Sequence, residues 1–127
     1  PWLLAWWVGA DVAAASTPIW RWLAVGVLVN GLAQLPFAML QGAGRTDVIA
    51  KIHLFELLPY MAGLWWALSH YGAVGAAVLW SLRVSVDAAL LFAQAFRLFP
   101  VWQPFFTRIV LGGLVGALIT LWIAFDA

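Results

Sequence analysis

Four long apolar stretches constrain this sequence more than any single motif in it. Polar and Gly/Pro punctuation falls at 9–18 (GADVAAASTP), 41–47 (QGAGRTD), 69–73 (SHYGA) and 97–108 (RLFPVWQPFFTR). Each stretch between them is long enough to cross a bilayer, for which a helix needs roughly 20 mainly apolar residues. A helix is also the open-ended element that satisfies its own backbone in lipid. The expected fold is therefore all-α: a polytopic membrane protein with about four transmembrane helices. These are helix A over 18–42, helix B over 47–69, helix C over 73–97 and helix D over 105–125, in a single transmembrane unit, with 1–8 as the end of a preceding helix. The chain opens on Pro1 inside an apolar run, so it reads as an internal or C-terminal fragment of a longer protein.

Composition agrees with lipid as the solvent. Of 127 residues, 66% are hydrophobic and 9% charged, with a mean hydropathy of +1.01. Soluble domains carry about 25% charged residues, and too few are present here to coat a water-facing surface. The apolar opening lacks the basic n-region and small-residue cleavage site of a secretory signal. The absence of Cys excludes disulfides and thiolate chemistry within these residues. A net charge of +1 gives no ground for a nucleic-acid partner.

Local signals place the helix ends. Ser16 and Thr17 before Pro18 suit an N-cap for helix A, and Gly42 with Gly44 a stop. Pro36 and Pro59 fall inside A and B, where each removes a backbone bond and is expected to kink its helix. GAGR at 42–45 lacks the Lys-Ser/Thr ending and preceding strand of a phosphate loop, so it reads as a tight turn.

Basic residues set the orientation, because they are retained on the cytoplasmic side. Arg45 and Lys51 flank the A–B connection and Arg97 and Arg108 the C–D connection, whereas 9–17 and 69–73 hold no Lys or Arg. A then runs inward, B outward, C inward and D outward, with Arg21 alone against the pattern. Trp6, Trp7, Trp20, Trp22, Trp65, Trp66 and Trp122 fall near the outer boundary, as an interfacial aromatic belt would. Arg45 and Lys51 are candidates for contact with lipid headgroups on the cytoplasmic side.

Ionisable groups deep in a membrane helix cost about 2.5–3.5 kcal/mol each on insertion scales and usually face a protein interior or wet cavity. Glu56, Arg83 and Asp87 qualify. Arg83 and Asp87, spaced i, i+4, share a face and can pair. At 1.5 Å per residue, Glu56 and Asp87 fall at a similar depth and Arg83 about 6 Å further in, so an Arg83 fork between the two carboxylates is feasible. Two readings stand side by side: a cavity whose cation meets an anionic substrate, or a fixed ion-pair network holding B against C. Asn30, Gln34 and Gln41 share a face of A, as cavity lining or as interhelical glue worth about 0.6 kcal/mol per contact. Helix B aligns His53, Glu56, Tyr60 and Gly63. His53 and His70 fall near opposite sides of the membrane and cannot share a metal, so no metal site is expected. His53 reads as an interfacial or cavity side chain. Gly112 and Gly116 on D form a small-xxx-small packing signal on a peripheral helix.

The runs LPFAMLQGAGRTDVIAKIHLFELLPY and HYGAVGAAVLWSLRVSVDAALLF resemble the C-terminal half of polysaccharide (O-antigen, Wzx-type) flippases of the MOP transporter superfamily. The likeness rests on the order and spacing of Asn30, Pro36, the LQGAGR turn, Lys51, Glu56 and Leu57, Tyr71 and Gly72, Gly75, Trp80, Arg83 and Asp87, and spans about residues 3–97. It implies helices ten to twelve of two six-helix lobes around a central cavity, running in the directions that the charges give. It further implies a transporter, not an enzyme, that flips lipid-linked (polyprenyl-pyrophosphate) oligosaccharide across the bacterial inner membrane by alternating access. The partners are then that cargo, membrane lipids and a missing N-terminal lobe. No cofactor is implied beyond a proton or sodium gradient. Arg83, Asp87, Glu56, Asn30, Gln34 and Tyr60 become the substrate-cavity candidates on this chain. Two other classes stay open: a transporter of the same superfamily with another cargo (lipid II or cationic drugs), and a membrane-embedded enzyme of envelope polysaccharide synthesis. The second would need acids or nucleophiles in sizeable loops, and the outer loops offer only Asp11 and His70.

Overall fold

The computed structural model describes residues 6, 7 and 9–126, with 120, 121 and 124–126 described through the backbone alone. Of the helix end expected over 1–8, all but Trp6 and Trp7 lies outside the described residues. The elements are α1 (Ala10–Gly42), α2 (Thr46–Leu98), a 3-10 turn (Pro100–Trp102) and α3 (Gln103–Asp126), with no strand among the described residues. The chain is an all-α, multi-pass membrane protein, its long helices apolar enough to cross a bilayer.

Three continuous helices appear where four were expected. The difference lies in α2, whose 53 residues would extend about 80 Å if straight, far beyond a hydrocarbon core of about 30 Å. It is folded instead at Gly72, the one residue inside α2 with non-helical dihedrals (φ 61°, ψ −146°). That region is essentially closed to side chains with a Cβ. A single glycine therefore makes the reversal for which a loop over 69–73 was expected. The two arms, 46–71 and 73–98, correspond to helices B and C and pack antiparallel. Gly63 faces Leu79, Glu56 faces Arg83 and His53 faces Asp87.

α1 starts at Ala10, eight residues before the expected 18, so 9–17 is not a loop. Ser16 and Thr17 do not cap it. Their hydroxyls donate to the carbonyls of Val12 and Ala13 within the helix, a bond Ser and Thr make readily to the preceding turn. At 33 residues α1 is about 50 Å long and exceeds the bilayer core. It continues through Pro36, as α2 does through Pro59, with no departure from helical dihedrals at either. Lipid-buried helices tolerate such prolines because neighbours re-satisfy the freed backbone groups. α1 ends in a Schellman turn: Gly44, at φ 72°, donates to the Gln41 carbonyl, and the Arg45 amide reaches back 2.8 Å to the Leu40 carbonyl. The GAGR segment is thus a helix terminator.

Lipid tails are as apolar as leucine, so helices in a bilayer associate through close packing and interhelical hydrogen bonds. The core follows this rule. Ala33, Leu40, Ile49, Ala88 and Leu91 form its buried centre, with Val29, Phe37 and Ile52 packed on it. Ser81 Oγ lies 2.7 Å from the Trp22 carbonyl and ties the second arm to α1. α3, which begins at Gln103, docks through Phe106, whose ring meets Phe92 and Phe96. On α3 a Cβ added at Gly113 would overlap Leu32. Such a Cβ meets nothing within 4 Å at Gly112 or Gly116, the pair picked out by spacing. Large apolar side chains such as Leu54, Phe55, Leu58 and Trp65 point outward.

Candidate functional site

The two arms bring charged residues together in two rungs. In the first, Arg83 Nε stands 3.6 Å from Glu56 Oε2, and the guanidinium carbon lies 5.1 Å from the centre of the Tyr60 ring. In the second, His53 Nε2 stands 3.1 Å from Asp87 Oδ1, while the imidazole stacks on Phe37 of α1. Each partner sits one helical turn from its counterpart in the other rung, at i, i+3 on the first arm and i, i+4 on the second.

This geometry revises the expected pairing. Arg83 and Asp87 do share a face of the second arm, yet no ion pair joins them among the described residues. Antiparallel register decides the matter, because it sets Arg83 level with Glu56 and Asp87 level with His53. Glu56 and Asp87 therefore differ in depth by about one turn. Arg83 does not fork between two carboxylates, and His53 takes the place of the second cation. The missed partner had a signal in the sequence. In a hairpin that reverses near residues 69–73, residues at similar distances from the turn meet, and His53 and Asp87 are such a pair to within about half a helical turn.

Burial is uneven. The Glu56 side chain is only 7% exposed and Asp87 13%, against 30% for Arg83 and 42% for His53. Neither rung is aligned as a hydrogen bond. Both carboxylate oxygens of Glu56, Nε of Arg83 and Oδ1 of Asp87 are buried without a hydrogen-bond partner in the chain. Buried polar atoms normally have one. The site thus holds unspent acceptors and an unspent donor in an environment where each is costly to leave so. Charge is unbalanced as well: with His53 neutral, the four groups sum to one negative charge.

The Arg83–Glu56 rung opens on a groove of about 290 Å³ between the arms, walled by Phe55, Pro59, Tyr60, Leu82 and Val86. Neither Asn30 nor Gln34 lines it, and both are exposed on α1. They share the face of α1 that carries Phe37, so they edge the bundle on the His53 side. No group of three or more residues able to hold a metal ion occurs among the described residues.

The chain is similar to a protein of Shigella flexneri named "Putative O-antigen transporter", with 41% identity over 85 residues. The match covers 67% of this chain and 20% of the transporter, so the chain spans about a fifth of the curated relative it matches. No family model matches the chain, and no solved structure does.

Proposed function

We propose that this chain, a member of the family of the O-antigen transporter it matches, supplies part of the path by which a lipid-linked oligosaccharide crosses the bacterial inner membrane. The observation that carries the reading is the Arg83–Glu56 rung: a buried ion pair with unspent hydrogen-bonding atoms, opening on a groove within an apolar hairpin. Ionisable groups at such depth mark substrate or ion pathways. Arg83 meets the pyrophosphate through its planar fork, with Tyr60 beneath the guanidinium to hold its orientation. Glu56 keeps Arg83 in place before cargo arrives. Asp87 with His53 takes up the coupling ion, a proton or sodium, which relieves the surplus negative charge. Asn30 and Gln34 are amides exposed to the surroundings of α1, and in lipid they need partners. They face the remainder of the transporter, where its first lobe closes the cavity. Transport then proceeds by rocking of one lobe against the other around this level of the membrane.

The test uses the full-length parent in vesicles with a fluorescent polyprenyl-pyrophosphate oligosaccharide. Wild type is expected to flip it, while Arg83→Ala and Asp87→Ala, inserted at normal levels, lose flipping. Undiminished flipping in both variants would make the rungs purely structural. A wild type that flips none of the probe would reassign the cargo.

A further inference from the structure

The second rung joins three elements, not two. Asp87 comes from the second arm of α2 and His53 from the first, while α1 contributes Phe37. The Phe37 ring lies within 16° of parallel to the imidazole, with the centroids 6.5 Å apart. That separation and angle belong to an offset-stacked pair.

The approach of His53 Nε2 to within 3.1 Å of Asp87 Oδ1 needs a cause, because that oxygen is buried without a hydrogen-bond partner in the chain. Burial does not supply it: the His53 side chain is half-exposed, which leaves its rotamer unconstrained on the open side. The neighbouring charges are engaged elsewhere. Lys51 and Arg45 are drawn to Asp47, at 3.7 and 3.2 Å, and Glu56, one turn along the same arm, pairs with Arg83. What remains is the face of Phe37. Its own place is well fixed, since it packs on the buried centre formed by Ala33, Leu40, Ile49, Ala88 and Leu91. Pro36 before it and Leu40 one turn on are fully buried. Close-packed surroundings of this kind hold a side chain in position. α1 thus presents a fixed ring to an imidazole that is open on its other side.

We propose that Phe37 is a positioning residue: it holds the His53 imidazole against Asp87, so the rung closes only while α1 is seated on the hairpin. The inference rests on the reading that this rung takes up the coupling ion, and adds to it a link between that ion and a helix. A shift of α1 would carry the Phe37 face away from the imidazole and leave Asp87 with an unrestrained partner. Coupling between two sites needs an element whose arrangement both can bias. α1 meets that condition, because it carries Phe37 at the rung and, one and two turns earlier, the exposed amides Gln34 and Asn30.

The test uses the full-length transporter in lipid vesicles, labelled at histidine for nitrogen NMR. The resonances of His53, identified by their loss in His53→Gln, report the surroundings of its ring nitrogens without reference to cargo. Asp87→Asn gives their position when the ion pair is broken. Phe37→Leu keeps an apolar side chain but removes the ring, and is expected to move them toward that position. Phe37→Tyr, which keeps the ring, leaves them as in wild type. Phe37→Met repeats the measurement with a flexible side chain, should Leu disturb insertion. Flipping of the fluorescent polyprenyl-pyrophosphate probe is expected to slow roughly two- to tenfold in Phe37→Leu, the worth of an aromatic pair expressed as a rate, and to recover in Phe37→Tyr. Unmoved resonances in the Leu and Met variants overturn the proposal, as does a Tyr variant displaced as far as Leu. The two readouts keep its failure apart from that of the coupling-ion reading. Undiminished flipping in Asp87→Ala, with the resonances moved as expected, sinks the coupling role and leaves Phe37 holding the rung. Lost flipping in Asp87→Ala with unmoved resonances does the converse.

Discussion

A carboxylate as buried as that of Glu56 needs a cation, a proton or water to remain in a bilayer, and Arg83 is the cation within reach. Removing one partner of a buried pair leaves the other uncompensated, at about 3–5 kcal/mol, whereas replacing both is often close to neutral. Glu56→Gln and Arg83→Gln are therefore expected to destabilise the full-length protein individually, and the double variant by less than the two effects combined. Unfolding in detergent would register a coupling of roughly 0.5–3 kcal/mol, as for residues in direct contact. Additive effects would show that the rung contributes nothing to stability. Arg83→Lys separates structure from recognition. It keeps the charge near Glu56 but loses the planar fork and its packing on Tyr60. Normal insertion with at least tenfold slower flipping is expected, since a lost bidentate contact of about 1.4 kcal/mol is tenfold in rate. Flipping at the wild-type rate would remove Arg83 from cargo recognition.

At the scale of elements, the fold depends on one residue whose role composition does not disclose. The apolar stretches and their length were legible, because lipid leaves helices as the available structure and hydrophobicity marks them directly. What was not legible is how little chain a reversal needs: SHYGA reads as a five-residue loop, yet Gly72 alone leaves the helical region. The start of α1 was missed for a related reason, since Ser16 and Thr17 bond back into the helix as easily as they cap one. Depth along single helices placed Glu56, Arg83 and Asp87 near one another, but pairing across the arms depends on register, which the turn sets. Two outcomes follow from the hairpin. In a cysteine-free full-length background, Gly63→Cys with Leu79→Cys is expected to cross-link readily, because the two positions touch. On a straight α2 they would stand about 24 Å apart and give no cross-link. Gly72→Ala forces a Cβ into a region worth about 1–3 kcal/mol of strain. The same cross-link should then fall in yield, and an unchanged yield would show that another residue makes the turn.

At the scale of the whole molecule, the antiparallel arms sort the chain into two unlike ends. One gathers the Schellman turn at Gly44, the connector at Pro100–Trp102 and four of the basic residues. The other carries Gly72, with the rings of Trp66, His70 and Tyr71 in contact beside it and no Lys or Arg between 52 and 82. Basic residues close to helix ends resist translocation, whereas aromatic residues settle at either interface. The charge rule therefore predicts the first end on the cytoplasmic side and the second on the opposite side. Arg21 stands alone against the pattern; it lies in the first half of α1, and its apolar stem can extend towards the interface at that end. The orientation also determines how the remaining residues work. On that orientation the rungs lie deeper in the membrane than the basic end. Single cysteines in the cysteine-free parent check it. Ser69→Cys, exposed beside the turn, is expected to react with a membrane-impermeant maleimide added to cells whose outer membrane alone is opened. Thr46→Cys, exposed at the basic end, should react only after the inner membrane is opened as well. The reverse pattern would invert every helix and place Arg45, Lys51, Arg97 and Arg108 on the outer face, where the charge rule would not hold.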